Sequence, residues 1–152
     1  MPDYTRKRLG DVFIDSFFQY SITMGGAGFV TGLETLVGTI PITTDADFVC
    51  VHSMYETGLA NAGVLLLANG GALVKLTDGV GRDLTNLVGG VPATTLFGTA
   101  QRPYMWPLTK LFRANTAIGF QITGNAAALI GINMRFVLGG FKVPTGTLLT
   151  DR

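Results

Sequence analysis

Residues 130–138 read IGINMRFVL. Ile130, Ile132, Met134, Phe136 and Leu138 fall on one side of an extended chain. Gly131, Asn133, Arg135 and Val137 fall on the other. Successive side chains of a strand point to opposite faces, so this period of two predicts a half-buried β-strand rather than a helix. The same period recurs outward from it. Ile118, Phe120 and Ile122 oppose Gly119, Gln121 and Thr123. Phe48, Cys50, His52 and Met54 alternate with Val49, Val51 and Ser53, which predicts one shared face for the first four. Further strands are expected over 17–23, 33–42 and 71–78, with weaker ones near 63–68 and 84–88. Turn signals separate them: GGAG at 25–28, NGG at 69–71, DGVG at 78–81, GG at 89–90 and TGN at 123–125.

No long amphipathic helix is expected; residues 11–20 hold at most a turn or two. Seven to eight short strands with Gly-rich turns predict an all-β fold, an antiparallel sandwich or jelly-roll-like barrel. Its parts are an N-terminal arm over 1–10, one β domain over 11–143 and a polar C-terminal tail over 144–152.

Composition narrows the setting. Of the 152 residues, 14% are charged, against about a quarter in an ordinary soluble domain. A chain with so little charge is a membrane protein, an unusually apolar monomer, or a subunit that hides apolar area against others. A spanning helix needs about 20 mostly apolar residues. The longest uncharged run, 114–134, is interrupted by Asn115, Gln121, Asn125, Asn133 and three glycines, so the expectation is no membrane insertion. The opening MPDYTRKRLGD is polar and leads into no signal-peptide pattern. One cysteine excludes an internal disulfide framework and fits synthesis in the cytoplasm. A net charge of +1 gives no bulk field for nucleic acid, and none is expected as a partner.

The sequence holds few chemical constellations. Asp45 and Asp47 lack the oxygen-ligand series of a calcium loop and read as a solvated strand entry. His52 is the only histidine, so no His cluster can hold a metal. With Cys50 it could form a dyad on one strand face, roughly 7 Å apart at Cα, but no third group orients the pair. DGVGRD at 78–83 lacks the lysine of a phosphate loop and reads as a hairpin turn. The expectation is therefore no enzyme, no cofactor and no metal.

The stretch LFGTAQRPYMWPLTKLFRANTAIGFQIT, residues 96–123, stands apart. Pro103 and Pro107 lack amide donors, so the segment cannot run through mid-sheet. It either crosses an end of a barrel or forms an edge; the reading adopted has 101–108 crossing a barrel end and presenting its aromatic knot. Trp106 can plug its own domain or, with Arg102, Tyr104 and Met105, anchor a subunit contact, where aromatics, Met and Arg are enriched. The basic arm Arg6, Lys7 and Arg8 is expected to touch an acidic surface of a neighbour.

The order of DADF (45–48), Gly81–Arg82 with Leu84 and Asn86, LFGTAQRPYMWP (96–107), LFRANTAI (111–118) and a strand ending in GGFKV (139–143) resembles small virion structural proteins of tailed bacteriophages. The likeness covers residues 45–143. It implies an all-β capsid decoration or cement protein without enzymatic activity. It further implies a homo-oligomer, a trimer in preference, on the outer surface of the virion. The major capsid protein or other virion proteins would be its partners. Alternatives are a neck, fibre or spike component, or a carbohydrate-binding jelly-roll module of the tail.

Overall fold

The computed structural model describes residues 17–57, 72–85, 89–99, 101–125 and 129–144. Eight strands are present among them: β1 (Phe17–Gly25), β2 (Thr35–Pro41), β3 (Ala46–Thr57), β4 (Ala72–Thr77), β5 (Val91–Pro92), β6 (Tyr104–Phe112), β7 (Ala117–Gly124) and β8 (Asn133–Pro144). The only α-helix among them, α1, is a single turn over Ala93–Leu96. Two four-stranded antiparallel sheets result, ordered β1-β8-β3-β6 and β2-β7-β4-β5. The fold is an all-β sandwich, and the sheets remain separate rather than closing into a barrel.

The period-two pattern places the core. On β7, Ile118, Phe120 and Ile122 are buried; on β4, Ala72, Val74 and Leu76 are; on β8, Met134, Phe136 and Leu138 are. Phe120 of one sheet meets Phe136 of the other at 4.9 Å between ring centroids, and Phe97, just after α1, meets Phe136 at 5.0 Å. Burying each such ring contributes roughly 1.5–3 kcal/mol, so this trio is a principal tie between the layers. Tyr20, Phe48 and Phe112 continue the core towards the other end of the first sheet.

Three expectations about strand limits are corrected. β8 begins at Asn133, not Ile130, because its ladder partner β1 stops at Gly25, opposite Asn133. Residues 129–132 form a turn instead. In it Ile132 N donates to Leu129 O, Gly131 N donates to Phe29 O, and Ile130 stands exposed. β2 begins at Thr35 rather than Leu33. The Glu34 carboxylate accepts hydrogen bonds from Thr31 N and Oγ1 and from Gly32 N, which folds 31–34 into a turn. Of the strand expected near 84–88, Leu84 and Thr85 form a bend, although Leu84 N donates to Leu76 O, and 86–88 lie outside the described residues. The expected strand at 63–68, the N-terminal arm and nearly all of the C-terminal tail lie outside the described residues. Pro144, assigned to the tail, is the last residue of β8.

Candidate functional site

The stretch at 96–112 is built against β3, and β3 is irregular. Its registers with β6 and with β8 both shift between Cys50 and His52. A β-bulge of this kind reverses which face the following side chains take. Phe48 and Cys50 are core residues, but beyond the bulge Ser53 is buried and Tyr55 packs on the core, while His52 and Met54 are only half-buried. The expected shared face for Phe48, Cys50, His52 and Met54 is thus overturned, and with it the side-by-side geometry of a Cys/His dyad.

The His52 imidazole lies over Gly139, its ladder partner on β8. A Cβ at 139 would overlap the ring, so any larger residue there would require His52 to move. Cys50 donates from its thiol to His52 O at 3.5 Å, and burial pushes that thiol up to about 12. It should therefore be inert towards a thiol reagent at pH 8 while the protein is folded, and react once it is unfolded. Cys50→Ser should cost on the order of 1 kcal/mol of stability and leave any binding unchanged. Fast labelling of the native protein would contradict this assignment.

From α1 the chain returns to the same edge of β3. Gly98 forms a parallel bridge with Met54; Tyr55 N donates to Gly98 O at 2.8 Å, and Gly98 N donates to Ser53 O at 3.2 Å. The chain then leaves in a short loop closed by Thr99 N to Arg102 O and Arg102 N to Thr99 O, both 3.1 Å. It rejoins as β6, with Tyr104 opposite Ser53. The two limbs of this loop press together at Gly98, where a Cβ would overlap Arg102 O and Tyr104 N. Residues 104–108 are therefore part of a strand that is an edge among the described residues. They do not cross a barrel end, because the loop is short and β3 takes up both of its limbs.

Within β6 the ladder is interrupted. Cys50 pairs with Lys110 and His52 with Met105, so Trp106–Thr109 stand against Val51 alone. Pro107, which has no amide to donate, sits in this excursion where no ladder bond is needed. The aromatic knot is split by it. Trp106 is half-buried and packs on the core, and its Nε1 donates to Ser53 Oγ at 2.9 Å. Ser53 in turn donates to Leu96 O, so the hydrogen-bond chain joins β6, β3 and the end of α1. Tyr104 is half-buried and Arg102 exposed. Met105 is 63% and Leu108 83% exposed, the latter the highest among the large hydrophobic residues described. Leu108 has the strongest claim to an outward contact, yet only the excursion, not its local sequence, marks it out. Arg6, Lys7 and Arg8 lie outside the described residues.

Asp45 and Asp47 separate likewise. Asp45 is exposed and pairs with Lys142 at 3.2 Å. Asp47 is fully buried, against the expectation of a solvated entry. Its Oδ2 accepts from Arg113 Nη1 at 3.2 Å and its Oδ1 from Ala114 N at 2.8 Å, so it clamps the β6–β7 turn to the start of β3.

No protein-family model matches the chain, and no curated protein is significantly similar to it.

Proposed function

We propose that the chain is a structural subunit of a tailed-bacteriophage virion, foremost a capsid cement protein that binds the assembled shell and stabilises it. The observation that carries the reading is the outer side of β6. There Met105 and Leu108 stand exposed around Pro107 on an edge strand that pairs only with β3 among the described residues, in a chain with 14% charged residues. Proline stiffens the excursion, so less entropy is lost when it docks. A partner that binds only the assembled shell shifts the equilibrium towards that shell by mass action, and a symmetric oligomer, a trimer in preference, multiplies weak contacts. The resemblance over 45–143 supports the same reading and makes the major capsid protein the first partner to test. A carbohydrate-binding tail module is less well supported. Its stacking platform would have to be Trp106 with Tyr104, and that indole is packed on the core and hydrogen-bonded to Ser53 while Tyr104 is half-buried.

An electron-microscopy map of particles carrying the chain tests the reading. Sandwich-shaped density on the shell, at or near three-fold positions, is expected. Density at the neck or tail tip would replace cement by the alternative role, and no density on any particle would end the virion reading. Deleting residues 1–9 should leave the β domain folded while weakening attachment and lowering its sensitivity to salt, because Arg6, Lys7 and Arg8 supply screened charge. Unchanged attachment at low and high salt would leave the arm without this role.

A further inference from the structure

Loop 78–82, read from sequence as a plain hairpin turn, forms one wall of a half-open cleft of about 500 Å³; the far half of β6 and the turn at 113–116 form the other. The loop is held by the Asp78 carboxylate. Its Oδ1 accepts from Val80 N and Arg82 N at 3.1 and 2.9 Å, and its Oδ2 from Arg82 Nε at 2.8 Å. Lys110 Nζ approaches the same oxygen at 3.9 Å. Across the cleft, Arg113 is fixed on buried Asp47.

The two carboxylates and the three cations are unequally exposed. The Asp78 and Asp47 side chains are 7% and 0% accessible, whereas those of Arg82, Lys110 and Arg113 are 72%, 28% and 36%. The cations are thus the more exposed partners, and with Asp78 in the lining and Asp47 beneath Arg113 three positive charges meet two negative ones at the cleft. Thr109 and Thr116 add hydroxyl groups to the lining.

We infer that this cleft is a docking site for an acidic peptide segment of a partner protein, its carboxylates meeting Arg82, Lys110 and Arg113. A half-open cleft does not enclose a free metabolite as small-molecule pockets do. It does admit side chains projecting from a larger surface. Two guanidinium groups and an ammonium, already oriented by buried acids, suit carboxylates through charge-assisted bonds. One compact group of three cations is too short a track for a nucleic-acid backbone, which charged stripes follow. Such docking needs only the isolated chain, whether or not the chain attaches to a particle.

The test is titration of the full chain with N-acetyl-hexaglutamate, followed by calorimetry and by amide shifts of 78–82 and 113–116, at low salt. Saturable binding confined to those residues is expected. Arg82→Gln and Lys110→Gln should each weaken it, and the double variant should weaken it about tenfold or more. Arg135→Gln, a cation paired with Glu56 on β3, should leave it unchanged. Melting curves of the variants establish that they are folded. Equal loss in Arg135→Gln, or no loss in the double variant, would overturn the site. Inorganic phosphate or a single-stranded oligonucleotide competing more strongly than the peptide would overturn the choice of ligand.

Discussion

Trp106→Ala should lower the stability of the isolated chain by about 3 kcal/mol, the lower end for a large aromatic residue because the side chain is only half-buried. For a domain of this size that is roughly a 10 °C fall in melting temperature. Two losses combine. The indole leaves a void against the core cluster, and Ser53 Oγ, fully buried, loses the N–H it accepts while still donating to Leu96 O. Trp106→Phe separates them: it keeps most of the apolar contact and should cost about 1 kcal/mol for the missing hydrogen bond. Leu108→Ala provides the contrast. Leu108 is 83% exposed, so its truncation should change stability by no more than about 0.5 kcal/mol. If the outer side of β6 is the docking surface, Leu108→Ala and Met105→Ala should weaken oligomerisation or particle binding at nearly native stability. Trp106→Ala should act mainly through folding. A Trp106→Ala chain that melts like the wild type but no longer binds would reverse these roles and make the indole the anchor.

The division of labour inside one short run, with Trp106 inward and Leu108 outward, shows where sequence patterns carry information and where they stop. β4 and β7 keep an unbroken period of two, and their buried faces can be read directly from Ala72, Val74 and Leu76 and from Ile118, Phe120 and Ile122. The two prolines bar 103–107 from mid-sheet, and among the described residues β6 is indeed an edge. β3 misleads because its bulge has no local signature. The register on either side of Val51 is set by β6 and β8, which lie far along the chain. Reading the alternation straight through therefore kept His52 and Met54 on the face of Phe48 and Cys50, whereas beyond the bulge it is Ser53 and Tyr55 that continue that face. Ser53 and Trp106 are 53 positions apart, and Asp47 and Arg113 are 66 apart. Such pairs are products of strand order, and no window of sequence contains them. The cleft at Asp78 is legible only in part: DGVGR marks a turn, but its facing wall comes from β6.

Arg113→Met should cost about 3 kcal/mol, more than Asp47→Asn, although both changes break the same ion pair. The pair is unequal: Asp47 is wholly buried, whereas Arg113 is 36% exposed. Removing the arginine strands a carboxylate in the interior with only Ala114 N to satisfy it, and an uncompensated buried charge is the costly outcome of a broken buried pair. The exposure of Arg113 keeps the figure at the lower end of the range for such pairs. Removing the charge at 47 instead leaves a guanidinium that can turn into water, and Asn can still accept from Ala114 N; about 1–2 kcal/mol is expected. The double variant Asp47→Asn with Arg113→Met should therefore be more stable than Arg113→Met alone, since the stranded charge is gone. The clamp ties the β6–β7 turn to β3, and the same turn is bonded to the β2–β3 connection, with Asn115 N donating to Thr43 O and Ile42 N to Thr116 O. Loss of Arg113 should accordingly speed amide exchange at 114–116 before it affects β7. Denaturant unfolding of the three variants, with exchange at those amides, checks the account. A double variant no more stable than Arg113→Met would mean that the buried carboxylate is not what makes the single change costly.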